Sequence, residues 1–244
     1  MTKMIETTIN GTWKLKLPQH RAERAEWKTG WEVERIASMM ATTTKDSIIF
    51  DIGAEEGDMT ALLATKAKGV VMFEPNPKVW PNIRAIWEAN KLKRPLGWYC
   101  GFAANTTDEN PPNKDWFKPE LLKDRDGWPE CAYGEVIGDH GFRHLAQETD
   151  ATPQIKLDEY CGRIKVYPTM ITMDVEGSEL EVLKGAENIL RIHRPLVYVS
   201  LHTNFIEEMY GYPPQAVHDY MEKLGYKSTH LATDHEEHWL YESA

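Results

Sequence analysis

The fold of this chain is decided by one stretch, Ser47-Ile48-Ile49-Phe50-Asp51-Ile52-Gly53-Ala54-Glu55-Glu56-Gly57. It begins as a short apolar run that ends in an acid, which is typical of a strand buried on both faces of a parallel sheet. Two glycines follow, and a helical pattern then runs from Asp58 to Lys66. The stretch therefore predicts a strand, a tight glycine turn and a helix.

The same unit repeats along the chain. Val70 to Glu74 is a second apolar run that ends in an acid, a Pro-Asn-Pro turn follows it, and Trp80 to Asn90 has helical spacing. Ser178 followed by Glu181 has the pattern of a capping box, which predicts a helix from there to about His193. Further strands are predicted near residues 98–103, 170–174, 196–201, 227–232 and 238–241. The alternation predicts an α/β fold with a doubly wound, mostly parallel seven-stranded sheet and an antiparallel edge.

Two regions fall outside this repeat. Residues 1–45 contain helical spacing from His20 to about Thr42, so we predict an N-terminal helical extension before a single compact domain over residues 46–244. Residues 105–152 show no periodicity, and we predict a long insertion there, before the fourth strand. Its aromatic residues suit either a lid over a ligand or a small separate core, and they are Trp116, Phe117, Trp128, Tyr133 and Phe142.

The composition narrows the class of protein. The 244 residues include 28 basic and 38 acidic ones, and the net charge of −10 disfavours nucleic acid as a partner. The three cysteines lack a CxxC spacing, which indicates neither a disulfide framework nor a zinc knuckle. Neither an apolar signal core nor a stretch of about 18 apolar residues is present, so we expect a cytoplasmic protein without a membrane partner.

The glycine turn and the acid at Glu74 predict a nucleoside-binding site. Gly53 and Gly57 would allow a ligand to approach the backbone closely, and Glu74 follows Gly53 by 21 residues, near the spacing of about 20 for an acid that binds ribose hydroxyls. Both lie at the carboxyl ends of strands, where ligands of open α/β sheets bind. The turn reads GxxxG instead of GxGxxG, and Glu55 and Glu56 would repel a pyrophosphate but tolerate a sulfonium. These features favour S-adenosylmethionine over NAD.

Four segments resemble the FkbM family of methyltransferases. They are Phe50 to Gly57, Phe73 to Pro77, Lys156 to Tyr160, and the phrase from Ile171 to Glu179 with Leu183-Lys184-Gly185-Ala186. The resemblance implies a class I methyltransferase fold, which is Rossmann-like, and methyl transfer to a hydroxyl of a sugar or natural-product-like small molecule. The chain departs from the commoner family pattern after the fifth strand, where Ser200-Leu201-His202 stands in place of an ending in glutamate.

The predicted site residues fall into two groups. Asp174 and Glu176 are two apart at a strand end and share a face, and His202 lies at the same rim, so these three are the candidate catalytic groups. Glu176 could instead cap the helix that follows. The candidate cofactor-binding residues are Asp51, Gly53, Ala54, Glu55, Gly57, Glu74, Pro75, Asn76, Phe102, Ala103 and Asp174.

The segment Asp234-His235-Glu236-Glu237-His238 is also a candidate metal site. Its HxxH spacing differs from the HExxH of zinc proteases, and we interpret it as a polar turn before the last strand. We expect that the protein binds no metal. If it does bind a divalent ion, the candidate ligands are His202, Asp234, His235 and His238. A nicotinamide-dependent oxidoreductase and a noncatalytic binding module are the alternative functions. The sequence leaves the acceptor and the oligomeric state open.

Overall fold

A large sheet forms the centre of the fold in the computed structural model, which describes residues 3–109, Trp128 and residues 152–244. The strands are β1 Met4–Ile9, β2 Trp13–Pro18, β3 Ile48–Ile52, β4 Gly69–Phe73, β5 Gly97–Tyr99, β6 Phe102–Ala103, β7 Gln154–Ile155, β8 Met170–Asp174, β9 Leu196–Leu201, β10 Tyr226–Thr233 and β11 Glu237–Ser243. The helices are α1 Gln19–Ala22, α2 Glu26–Thr29, α3 Val33–Thr42, α4 Asp58–Ala64, α5 Trp80–Asn90, α6 Leu157–Ile164, α7 Glu179–Gly185, α8 Glu187–Ile192, α9 Thr203–Tyr210 and α10 Gln215–Lys223.

The large sheet has seven strands in the order β10-β11-β9-β8-β3-β4-β5. The five strands from β9 to β5 are parallel, and β11 runs antiparallel to both of its neighbours. The predicted doubly wound, mostly parallel sheet is therefore confirmed. Because β3 pairs with both β4 and β8, the ends of these three strands meet at the point where the strand order reverses, which is where open α/β sheets bind ligands.

Two apolar layers cover the faces of this sheet. Along β4, Val70 and Met72 pack into one cluster with α4 and α5, whereas Val71 and Phe73 pack into the other with α6 and α7. Successive residues of a strand point to opposite faces, so every position of β4 is buried. The continuous apolar run therefore follows from burial on both faces.

The N-terminal region differs from the predicted helical extension. A hairpin of β1 and β2 precedes the three helices α1 to α3, and Leu15 and Leu17 of β2 are fully buried beside α5. Its turn has positive φ at both Asn10 and Gly11, and an Asn-Gly pair between alternating strands is a strong hairpin signal. Residues 1–45 are therefore not helical throughout.

Two other local predictions are wrong. The strand expected over residues 98–103 is split by Gly101 into β5, in the large sheet, and β6, which pairs with β7 in a small sheet. The expected capping box is absent, because the Ser178 hydroxyl bonds the Tyr210 hydroxyl at 3.1 Å and makes no cap hydrogen bond. The single helix expected up to His193 is two helices, α7 and α8, which meet at Ala186.

Of the insertion, the structure describes Trp128 and the flanking residues. Trp128 is buried and packs edge-on against Trp87 of α5, with ring centroids 6.2 Å apart. This residue therefore belongs to the core; Trp116, Phe117, Tyr133 and Phe142 lie outside the described residues.

Within the described residues, no helix has the length and apolar character that a membrane crossing requires.

Candidate active site

The glycine turn holds three strand ends together. The N–H groups of Gly53 and Ala54 both donate to the Phe73 carbonyl oxygen, at 2.9 and 3.0 Å. Gly53 has a φ of 83°, and a Cβ atom at this position would lie 1.9 Å from the carbonyl oxygen of Asp174. No other residue fits such a contact, so Gly53 brings the end of β8 against the turn after β3.

Gly57, a predicted cofactor-binding residue, lies against α5. Its φ is 82°, and a Cβ atom here would meet the side chain of Ile83 at 3.1 Å. It therefore allows α4 to pack closely against α5 and does not line the cleft described below.

Glu74 is fully buried at the end of β4. Its carboxylate accepts the N–H groups of Glu55 at 2.8 Å and Asn76 at 2.7 Å, and these bonds fix its direction. Burial nevertheless raises the pKa of Glu74 well above its usual range. Asn76 shapes this turn, because its side chain accepts the Lys78 N–H at 3.0 Å at the start of a 3₁₀ turn.

Two hollows adjoin at this edge of the sheet. The first, here called the apolar cleft, has a volume of about 70 Å³ and is lined by Ile52, Gly53, Phe73, Glu74, Pro75, Gly101, Phe102, Ala103, Asp174, Val175, Glu176 and Ser178. The second, here called the charged hollow, has a volume of about 40 Å³ and is lined by Arg21, Trp31, Glu32, Arg35, Asp51, Gly53, Ala54, Glu55, Asp58, Met59 and Asp174. Gly53 and Asp174 line both, so the two hollows meet beside these residues.

The N-terminal residues of the charged hollow are not among those predicted from the sequence. Arg21, Trp31, Glu32 and Arg35 come from α1 and from the residues around α3. No spacing rule connects them to the glycine turn, because they reach it through tertiary packing alone. The signal that the sequence offers for these residues is the density of charged residues in a stretch with helical spacing.

Arg21 binds two acids near the glycine turn. Its guanidinium donates to both carboxylate oxygens of Glu55 at 2.8 Å, and its Nε donates to Asp58 at 2.8 Å. Glu56 is held separately by His20 at 2.7 Å and Asn82 at 2.9 Å. Side chains of the protein therefore bind both carboxylates, and their tolerance of a sulfonium stays a prediction.

Asp51 lies in the charged hollow at the end of β3. Its side chain is buried and accepts a hydrogen bond from the Thr60 hydroxyl. Burial raises the pKa of Asp51 to about 6, against the opposing effects of the Thr60 bond and the Arg35 charge. The ionised form of Asp51 is therefore less stable in the folded protein than in water.

A second group of charged side chains lies where the apolar cleft meets β9. This carboxylate–histidine cluster consists of Asp174, Glu176, Glu179, His202 and Glu236. The Nδ1 atom of His202 lies 2.8 Å from Glu179. Its Nε2 atom lies 2.7 Å from Glu236, 3.5 Å from Asp174 and 4.0 Å from Glu176. The three predicted catalytic residues therefore do lie together, and Glu179 and Glu236 join them.

The charges of this cluster oppose the predicted role of His202 as a base. Burial lowers the pKa of His202, but its bonds to Glu179 and Glu236 and the charge of Asp174 outweigh burial and raise the pKa to about 11. The imidazole is therefore protonated at neutral pH and has no free lone pair to accept a proton. The pKa of Asp174 is raised well above its usual range by burial and by Glu236, with His202 and Arg35 opposing.

The turn between β10 and β11 places the other candidate metal ligands in different surroundings. His238 is fully buried between the Ser200 hydroxyl and Asp234, both at 3.1 Å, whereas His235 is exposed and lies 2.8 Å from Asp234. Among the described residues, two sets have ligand atoms close enough for one ion: Glu32, His235 and Glu236, and Asp174, Glu176 and His202. Asp234 and His238 belong to neither set.

The family follows from a comparison with known proteins. The model of the methyltransferase FkbM domain matches residues 51–228, which is most of the chain. The chain belongs to the FkbM methyltransferase family. The match begins at the acid of the glycine turn and includes Glu74, Asp174 and His202. Membership argues against the alternative of a nicotinamide-dependent oxidoreductase.

Individual relatives of this FkbM protein are distant. The hexuronic acid methyltransferase AglP of Haloferax volcanii is 27% identical over 174 residues, which cover 70% of this chain and 62% of AglP. The crystal structure of methyltransferase FkbM from Methylobacillus flagellatus has a TM-score of 0.51 at 19% identity, covering 82% of this chain and 44% of that one. A Streptococcus mutans protein in complex with SAH has a TM-score of 0.50 at 10% identity, covering 86% and 95%. These two structures show the class I methyltransferase fold. The chain spans less than two thirds of AglP and of the Methylobacillus protein.

Proposed function

We propose that this protein transfers the methyl group of S-adenosylmethionine to a hydroxyl group of a carbohydrate. One observation carries the proposal: the apolar cleft and the charged hollow meet at Gly53 and Asp174, beside the carboxylate–histidine cluster. The two hollows match the two ends of the cofactor, and their junction matches its reactive sulfonium.

The adenosine end of the cofactor fits the apolar cleft. Phe73, Phe102 and Ala103 supply apolar walls, which suit an adenine ring. Glu74 accepts two backbone N–H groups, and a carboxylate has about four acceptor sites, so lone pairs are left for the two ribose hydroxyls.

The methionine end fits the charged hollow, which offers groups of both signs. Asp51 would receive the ammonium group and thereby recover part of its burial cost. Arg35 would receive the carboxylate, because it is buried and, among the described residues, its Nε atom has no hydrogen-bond partner. In this arrangement the sulfonium lies between the hollows, next to Gly53.

The chemistry then takes place beside Asp174. Methyl transfer from a sulfonium is an in-line displacement, so an enzyme gains mainly by aligning the acceptor oxygen with the methyl carbon. An alcohol must also lose its proton, and Asp174 is the carboxylate that lines both hollows. Its raised pKa makes it a stronger base than an ordinary carboxylate. We therefore assign Asp174 the contact with the acceptor hydroxyl.

A carbohydrate acceptor is supported by the relative AglP, whose name describes it as a hexuronic acid methyltransferase. Sugars offer neighbouring hydroxyl groups, which hydrogen-bond well to a rim of carboxylates such as Asp174 and Glu176.

Calorimetric titration tests the cofactor. We expect S-adenosylmethionine and S-adenosylhomocysteine to bind and NAD not to bind. Tight binding of NAD without binding of S-adenosylmethionine would contradict the proposal.

Release of S-adenosylhomocysteine tests the reaction. The protein would be incubated with S-adenosylmethionine and a panel of neutral sugars, uronic acids and glycosides, and we expect release with at least one of them. Cofactor binding with no release across the panel would favour a noncatalytic binding module.

A further inference from the structure

The turn between β10 and β11 meets the N-terminal region at a group of three side chains. Ligand atoms of Glu32, His235 and Glu236 lie within 4.8 Å of one another. Glu32 directly precedes α3, whereas His235 and Glu236 stand between β10 and β11. Both carboxylates are buried, and the His235 side chain is 59% exposed. Two buried acids from distant parts of the chain therefore share one imidazole that solvent can reach.

A buried oxygen without a partner lies inside this group. The Glu236 side chain is 4% exposed, and its Oε1 atom accepts no hydrogen bond from the residues that the structure describes. His235 Nε2 lies 3.3 Å from this oxygen, beyond the range of about 2.7–3.2 Å for an N–H···O bond. Buried carboxylate oxygens are normally hydrogen-bonded or bound to a cation, because leaving one bare is costly. The bare oxygen therefore points to a ligand beside His235.

We propose that Glu32, His235 and Glu236 bind one divalent transition-metal ion of the class of Zn²⁺. In a tetrahedral site with bonds of about 2.1 Å, two ligand atoms lie about 3.4 Å apart. The 3.3 Å between His235 Nε2 and Glu236 Oε1 matches this separation. The Glu32 ligand atom lies within 4.8 Å of both, so a small closing movement completes the set. The inference departs from the expectation, drawn from the sequence, that the protein binds no metal.

The orientation of His235 suits a metal ligand. Its Nδ1 atom lies 2.8 Å from Asp234 Oδ1. A bond from this ring nitrogen to a carboxylate orients a ligating imidazole and leaves Nε2 for the metal in place of a proton. Imidazole nitrogen and carboxylate oxygen are both ligands of Zn²⁺, and three protein ligands leave a fourth position for water.

Arg35 competes for Glu32 without exhausting it. The Nη1 atom of Arg35 donates to Oε2 of Glu32. A carboxylate has two oxygens with about four acceptor sites, so Glu32 can bind the guanidinium and an ion together. Asp234 adds a further negative charge behind His235, which favours a cation at this point.

The ion would fasten the turn between β10 and β11 to the segment before α3. Glu32 lines the charged hollow, and Oε2 of Glu236 lies 2.7 Å from His202 Nε2. One ion would therefore hold a wall of the hollow and the partner of His202 in place. The site does not depend on the proposed function, because neither the cofactor nor an acceptor contributes a ligand.

Calorimetric titration with Zn²⁺ alone, on protein stripped with EDTA, tests the site. We expect saturable binding of one ion. His235→Ala should weaken binding about tenfold or more, because it removes a ligand. Its side chain is mostly exposed, so the fold should be kept. The matched control is His193→Ala, which changes an exposed histidine outside the group and should leave binding unchanged.

Thermal unfolding provides a second readout. Zn²⁺ should raise the unfolding midpoint of the unaltered protein and of His193→Ala but not that of His235→Ala, since an ion that binds the folded state stabilises it. Co²⁺ in place of Zn²⁺ should give the visible absorption of a four-coordinate ion, and Glu236→Gln protein that keeps its circular dichroism should lose it.

Two outcomes would overturn the inference: no saturable Zn²⁺ binding by the unaltered protein, or a smaller loss of affinity in His235→Ala than expected. Titration of S-adenosylmethionine in the presence of EDTA separates the two proposals. If the cofactor binds and Zn²⁺ does not, the metal site is wrong and the proposed function stands; the reverse result contradicts the proposed function alone.

Discussion

Two groups of carboxylates lie at the same edge of the sheet, and their hydrogen-bond donors differ. Around Arg21, the carboxylates of Glu55 and Asp58 receive the donors of a guanidinium at 2.8 Å. In the carboxylate–histidine cluster, four carboxylates share one imidazole. A guanidinium has five donors in a fixed fork, whereas an imidazolium has two.

We infer from this difference that the Arg21 group stabilises the fold and that the carboxylate–histidine cluster takes part in the reaction. The Arg21 group ties the N-terminal region to the glycine turn. The cluster around His202 is short of donors and therefore suited to an acceptor hydroxyl. Substitutions in the two groups should accordingly affect different properties, stability in the first and turnover in the second.

The largest expected effect is the loss of the Arg21 guanidinium. Arg21→Met removes the guanidinium that binds Glu55 and Asp58, and breaking a buried ion pair costs about 3–5 kcal/mol. We expect the free energy of unfolding, measured in urea, to fall by this amount. Arg191→Met removes an exposed pair with Glu187 and should change it by less than about 0.5 kcal/mol. Equal effects of the two substitutions would contradict a structural role for Arg21.

Substitution of Asp174 tests the other side of the comparison. Asp174→Asn keeps the shape of the side chain but removes the proton acceptor, so turnover should fall by about a hundredfold or more. The affinity for S-adenosylmethionine should change little, and the free energy of unfolding should not fall, in contrast to Arg21→Met. Steady-state kinetics with calorimetry would measure both. Loss of cofactor binding with normal turnover per bound cofactor would show that Asp174 had been given the wrong role.

Asp51 lines the charged hollow together with Arg21 and Asp174, and it is expected to link stability to pH. Its pKa is raised to about 6 in the folded protein from 3.8, so the folded state binds its proton more tightly than the unfolded state does. The cost of ionising it is therefore absent below the unfolded pKa, grows as the pH rises toward 6 and is complete above that. Asp51→Asn removes this cost and should stabilise the protein by on the order of 2 kcal/mol at neutral pH.

The gain from Asp51→Asn should shrink as the pH is lowered toward about 4, because both proteins are then neutral at this position. Urea unfolding of both proteins at several pH values would measure this. The same substitution should weaken S-adenosylmethionine binding, since the ammonium group loses its partner. A gain in stability that does not vary with pH would point to packing instead of charge.

The smallest expected effect concerns Glu74. Glu74→Gln replaces a charged acceptor by a neutral one, and we expect the affinity for S-adenosylmethionine to fall about tenfold, the loss of one charge-assisted hydrogen bond. The matched control is Glu88→Gln, which changes an exposed residue of α5. Calorimetry would compare them, and equal affinities would remove Glu74 from the site.

The sequence predicted the parts of the fold that depend on local pattern. The runs ending at Asp51, Glu74 and Asp174 identified the parallel strands, because burial on both faces leaves a continuous apolar run. The N-terminal hairpin was missed although Asn10-Gly11 indicated it, since the helical spacing after His20 dominated the interpretation of the whole segment.

The site was predictable only where a strand ends in it. Asp174 and His202 follow β8 and β9 directly, so their proximity follows from the topology. Arg21, Arg35 and Glu236 arrive from distant parts of the chain, and no spacing rule relates them to the turn. The raised pKa of His202 could not be predicted for the same reason, because it depends on Glu179 and Glu236 in three dimensions.

The position of Arg21 and Arg35 has a practical consequence for work with the family. The recognisable FkbM domain begins at residue 51, yet one wall of the charged hollow comes from residues 21–35. A protein trimmed to the boundaries of the family match would keep Glu74 and Asp174 but would lose that wall and the hairpin strand packed on α5. The family match therefore ends short of the residues that line the charged hollow, and we expect a domain exchange between relatives to require the segment before the first parallel strand as well.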